Sequence, residues 1–120
     1  MDEIKLSLII DNPARPIAFE SRFPVLLDLA ETMPGLLRIE TARVFPSNDG
    51  SPAPAHRTVD LYFASYEAAR RATGTPEATT FFDRLRGTGG TFTRLLSHVE
   101  THGRTTDPTA DGDMRPSQLT

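Results

Sequence analysis

The chain contains no cysteine. Disulfides, thiolate metal sites and a cysteine nucleophile are therefore excluded, which argues against a small secreted scaffold held by bridges and for a reducing compartment, the cytoplasm. Tryptophan is absent as well, and the aromatics are seven Phe and two Tyr, so few are left for a ligand once a core is filled. No apolar run approaches the roughly 18 residues that a membrane span needs. The longest, Ile4-Lys5-Leu6-Ser7-Leu8-Ile9-Ile10, follows Asp2-Glu3, acidic where an export signal is basic. A surplus of positive charge is also missing. Thirteen Lys and Arg against sixteen Asp and Glu leave a net charge of -3, too little positive field for a phosphate backbone. Neither nucleic acid nor membrane is expected as a partner.

What is present suits one ordinary globular domain. The chain has 120 residues, 38% of them hydrophobic and 24% charged, enough for one core and too few for two. Composition changes at the C-terminal end: residues 101–120 hold three apolar side chains, Ala110, Met114 and Leu119, together with two prolines. Such a segment cannot bury enough surface to offset its ordering entropy, so the expected division is a domain over 1–100 and a flexible tail over 101–120.

Within the domain, Ile4, Leu6, Leu8 and Ile10 alternate with Lys5, Ser7 and Ile9, the period of a strand, and Asp11-Asn12-Pro13 ends it. From Pro16 to about Met33, Phe19, Phe23, Leu26, Leu27, Ala30 and Met33 recur at steps of three and four, a helical stripe. Pro24 lies inside it and predicts a kink or break. After Pro34-Gly35, a second strand runs from Leu36 to Phe45 with Leu37, Ile39, Thr41, Arg43 and Phe45 on one side. The proline-rich stretch 46–55 makes an irregular connection to a third strand over Arg57 to Ala64. Ser65 caps a short helix over Tyr66 to Thr73, and Thr75-Pro76 opens another that ends at Gly87. A last strand spans Thr91 to about Glu100.

The order β-α-β-β-α-α-β is the split βαβ plan: an α+β, ferredoxin-like βαββαβ fold with a divided second helix and a four-stranded antiparallel sheet. Helices can cover one side of such a sheet, yet apolar side chains stand on both, Leu61 and Phe63 against Tyr62 and Ala64 on the third strand. A second copy of the chain laid on the bare side is the expected remedy, giving a twofold homodimer.

Asp49-Gly50-Ser51-Pro52-Ala53-Pro54, with Arg57 and Asp60-Leu61-Tyr62-Phe63 after it, resembles the signature of the EthD family, named for ethyl tert-butyl ether degradation. The Ile4–Ile10 strand, the Met33-Pro34-Gly35-Leu36 exit, Thr75-Pro76-Glu77 and Thr88-Gly89-Gly90 stand in that family's order, so the resemblance covers about residues 3 to 100. It implies a dimeric α+β barrel and a small, cofactor-free protein found beside monooxygenases, with relatives that act as cyclases or dehydratases on polyketide-like aromatics. One departure matters. Where members of the family often carry the histidine of a His-x-Pro-Leu run, eight residues ahead of Pro34, this chain has Leu26, which cannot transfer a proton.

The remaining groups able to move a proton are few. His56 closes the proline-rich loop beside the third strand and either reaches a cleft or stands idle in solvent. Asp60 and Tyr62 lie two apart on one strand face, a carboxylate and a phenol that make a proton-transfer pair, or else a polar interface network in which Asp60 meets Lys5, Arg38 or Arg94. His98 reads as an interface group, His102 as solvated, and Asp28 and Arg22 as either site residues or the wet side of the first helix. The histidine spacing makes no metal site. Phe19, Phe23, Leu26, Phe63, Phe81 and Phe82 are the candidates to line an apolar pocket between helices and sheet, with most of them needed for the core.

These residues lead to two expectations of different class. The first is a homodimer that binds a small apolar or aromatic molecule and catalyses a proton-transfer step without cofactor (cyclisation, dehydration or isomerisation) through Asp60, Tyr62 and His56. The second is a non-catalytic carrier or accessory protein for a hydrophobic pathway intermediate, which the missing imidazole at position 26 favours. A cofactor-independent monooxygenase rests on shared fold alone.

Overall fold

A computed structural model describes residues 3–103. The order of elements is β1 (Ile4–Ile10), α1 (Pro16–Ala30), β2 (Leu36–Arg43), β3 (Arg57–Phe63), α2 (Tyr66–Thr73), α3 (Pro76–Gly87) and β4 (Phe92–His98). The four strands form one antiparallel sheet in the order β2-β3-β1-β4. This is the α+β, ferredoxin-like plan with a divided second helix. Of the expected C-terminal tail, residues 104–120 lie outside the described residues.

Strand parity builds the core. Leu6, Leu8 and Ile10 of β1 pair with Leu61, Val59 and Arg57 of β3, and the apolar members of this set are buried beneath the helices. From α1 the stripe Phe19, Phe23, Leu26 and Ala30 packs down on them, and α3 adds Ala78, Phe81, Phe82 and Leu85. The outer strand β4 carries Arg94 on this side, where its guanidinium lies 4.3 Å from the centre of the Phe82 ring.

Local chemistry sets the boundaries. Ser65 accepts from the Ala68 amide at 3.1 Å and Thr75 from the Ala78 amide at 3.2 Å, capping α2 and α3. Gly35, at φ +82°, turns the chain from α1 into β2, a conformation that costs any other residue about 1 kcal/mol. In the proline-rich loop Asp49 accepts from the Ser51 amide at 3.0 Å, and Asn12 donates to the Ala53 carbonyl at 2.8 Å. The DGSPAP stretch is therefore pinned both to itself and to the end of β1.

Three expectations change. Pro24 does not break α1, which runs unbroken from Pro16 to Ala30; the buried stripe on both sides of the proline holds the helix together although Pro24 has no N–H to give the Glu20 carbonyl. In β2 a bulge falls between Leu36 and Arg38, so Leu36 and Ile39 face the core, Leu37 stands half exposed, and Phe45 lies beyond the strand in solvent. The helix-free side of the sheet is also less apolar than the alternation suggests. Around Ile9, Tyr62 and Leu95 it carries Lys5, Ser7, Arg38, Glu40 and Asp60, a polar centre with apolar neighbours.

Candidate functional site

The residues singled out in the sequence fall into two groups on opposite sides of the sheet. His56 immediately precedes β3, held by its own amide donating to the Ile10 carbonyl at 2.8 Å and by its carbonyl accepting from the Val44 amide at 3.1 Å. Its ring is largely buried and points toward α1, where Nε2 lies 2.8 Å from Glu20 Oε2. Arg57, the next residue, donates to both Glu20 oxygens at 2.7 Å, a forked pair, and Arg43 from β2 lies 3.6 Å from Oε1. The aromatic stripe of α1 frames these charges: the Phe19 ring meets the imidazole edge-on at 5.3 Å, and Arg57 lies over Phe23 at 4.3 Å.

The electrostatic result is a carboxylate that stays ionised. The hydrogen bonds from Arg57, against the cost of burial and with help from His56 and Arg43, hold the Glu20 carboxyl at about 2. An ionised carboxylate only accepts, so in the neutral imidazole the proton sits on Nε2 and the lone pair on Nδ1. Glu20 thus fixes the orientation of the His56 ring through Nε2. Sequence reading missed Glu20 because its partners are 36 and 37 residues away and nothing near it in the chain signals them.

Asp60 and Tyr62 lie on the other side. Even-numbered positions of β3 point away from the helices, so these two do not share a cleft with His56, and the expected trio is divided by the sheet itself. Nor do they pair with each other. Asp60 accepts from the Ser7 hydroxyl and lies 3.9 Å from Lys5 Nζ, while the Tyr62 hydroxyl donates to Glu40 Oε1 at 2.7 Å. Arg38 stacks over the Tyr62 ring at 3.8 Å and reaches Glu40 at 3.4 Å and Glu3 at 3.0 Å. Bonding to Glu40 and burial push the phenol up to about 12, so it stays a donor.

The six expected lining residues are all buried in the core between helices and sheet. Open space lies instead along the seam of α1 and α3, where two neighbouring cavities of about 380 and 270 Å³ share Arg22 and Thr88. Leu26 lines the larger and Phe19 the smaller; Phe23, Phe63, Phe81 and Phe82 pack beneath as core. Leu26 thus stands at the wall of a cavity. Phe19 touches the cavity and His56 alike. Among the described residues no cluster of three His, Asp or Glu side chains is placed to hold a metal, and no helix is long and apolar enough to cross a membrane.

No family model matches the chain, nor does any curated protein. Solved structures do. An ethyl tert-butyl ether degradation family protein from Bacillus halodurans superposes with a TM-score of 0.72 at 22% identity, over 81% of this chain and 97% of its own. The chain has the fold of an EthD protein. SnoaB from Streptomyces nogalater, a cofactor-independent oxygenase solved as a mutant, matches with a TM-score of 0.61 at 19% identity, over 89% of this chain and all of its own. A dimeric ferredoxin-like protein of unknown function from Thermobifida fusca matches at 0.61 and 13% identity, over 83% and 92%. The EthD resemblance read from the DGSPAP loop and the four other segments is thereby borne out in three dimensions.

Proposed function

We propose that this chain acts as a homodimer that takes up a small apolar or aromatic molecule and moves a proton on it without a cofactor, with His56 as the acid-base group and Glu20 as the residue that orients it. The observation that carries this reading is the Glu20–His56–Arg57 cluster: a carboxylate locked in its charged form by a forked arginine and bonded to Nε2 of an imidazole that packs edge-on against Phe19, a residue of the cavity wall. Arg57 and Arg43 lend the positive surroundings in which an oxyanion formed on the molecule is stabilised. Leu26 and Phe19 are the lining residues of the uptake site, resting on Phe23, Phe63, Phe81 and Phe82. Tyr62 and Asp60 enter through the dimer instead: when two open sheet faces meet, they line the space between the sheets as a polar network, the phenol donating to Glu40 and Asp60 accepting from Ser7. The absence of cysteine fits work in a reducing cytoplasm.

The oxygenase neighbour supports a small-molecule role on this fold, and the dimeric neighbour supports self-association. The second reading, a carrier, draws on Leu26, an inert side chain at the cavity wall where an imidazole would do chemistry. Deuterium labelling separates the two. A small molecule recovered from freshly purified protein by native mass spectrometry and incubated with it in D₂O is expected to gain deuterium at carbon with the wild type and not with His56→Gln. A molecule returned unlabelled by both proteins identifies a carrier.

A further inference from the structure

We infer that the seam between α1 and α3 binds a small organic carboxylate, its apolar body against Phe19, Val25 and Leu26 and its charge held by Arg22. This rests on the reading that the seam takes up a small molecule and adds the ligand's charge. Phe19, Arg22 and Leu26 follow one another along α1 at steps of three and four, with Arg15 at the N-cap just ahead of them, so cation and apolar surface alternate along the seam. Across the seam α3 brings Arg84. Arg22 lines both cavities and stands at the middle of the seam.

The charges there differ from the rest of the molecule. The chain is acidic overall, at -3, yet its seam is lined by Arg15, Arg22 and Arg84 against a single carboxylate, Asp83, which Arg86 already engages at 3.3 Å. Among the other arginines Arg57 and Arg43 are committed to Glu20, Arg38 to Glu3 and Glu40, and Arg94 to the Phe82 ring, while Arg70 and Arg71 of α2 are in no ion pair among the described residues but lie away from the seam. Three arginines spread along a half-apolar seam, Arg22 shared by both cavities, Arg84 at the larger and Arg15 at the smaller, without acidic partners of their own among the described residues, complement an anion that carries hydrocarbon. A carboxylate suits the planar fork of Arg22, and about 380 Å³ holds a body of one or two rings.

The probes are 2-naphthoate and its uncharged counterpart 2-naphthalenemethanol, titrated into the full chain and followed by amide chemical shifts. The expected result is that 2-naphthoate moves the amides of 21–26 and 83–88 and binds about tenfold more weakly to Arg22→Gln than to the wild type. Arg22→Lys recovers part of the loss, Arg70→Gln on α2 has no effect, and added salt weakens binding. The alcohol is expected to bind the wild type more weakly than the acid and Arg22→Gln no differently from the wild type. Equal binding of acid and alcohol at the seam overturns the inference while leaving small-molecule uptake standing. Shifts away from the seam, or none with either probe, overturn both. The amide spectrum of each variant reports in the same experiment whether it is folded.

Discussion

Glu20 shows how one side chain ties distant parts of the chain together. Its folded value of about 2 lies below the usual 4.5, so its stabilising contribution is fully present above about pH 4.5 and fades as the pH falls toward 2. Glu20→Gln leaves Arg57 half-buried beside a neutral amide and is expected to cost about 1–3 kcal/mol at neutral pH in urea unfolding, with the gap to wild type closing as the pH falls toward 2. A gap that stays constant would mean the carboxylate charge is not what Arg57 needs. Tyr62 gives a second test. The chain has two tyrosines, so in a Tyr66→Phe background the tyrosinate absorbance reports Tyr62 alone; its midpoint is expected near 12, and Glu40→Gln should bring it down toward 10. At this scale the sequence was partly legible. Tyr62 and Asp60 could be placed on one strand face by parity, but their partners Glu40 and Ser7 belong to neighbouring strands whose register emerges only from pairing. Glu20 was hidden for the same reason.

Among the elements, α1 is where local rule and tertiary packing disagree. Pro24 argues for a kink, and Phe19, Phe23, Leu26 and Ala30 argue for one face held on the sheet; the second prevails because both halves of the stripe are buried. Pro24→Ala restores an amide for the Glu20 carbonyl and is expected to stabilise the fold by about 1–3 kcal/mol in urea unfolding; a loss would show that the proline fixes the helix in its seat. Gly35 offers the reverse case. A Cβ there meets nothing within 4 Å, so Gly35→Ala should cost about 1 kcal/mol through its positive φ alone. A cost near zero would show that the backbone relaxes. β1, α2 and the cap and end of α3 could be read from alternation, Ser65, Thr75 and Gly87. The bulge in β2 could not, because Leu36-Leu37 offers two apolar residues in a row and sequence alone does not say which faces inward.

For the whole molecule, the sheet is the dividing wall. On one side lie the core, the His56–Glu20 cluster and the seam of α1 and α3; on the other lies a bare face with Tyr62 and Asp60 in a polar network. That bare face mixes Ile9, Leu95 and the Tyr62 ring with charges already satisfied inside the chain, and Leu95 of the outer strand β4 stands half exposed on it. Such a surface suits a self-complementary interface with a wet, polar interior, and a dimer formed through it would bring Tyr62 and Asp60 into a closed space. Without that closure the network around Tyr62 and Asp60 is an outer surface of the sheet, with the Tyr62 ring already covered by its own chain, and encloses no space. Sedimentation velocity across a dilution series tests the closure most directly: a species of twice the chain mass is predicted at micromolar concentration, and a folded single chain at every concentration would contradict it.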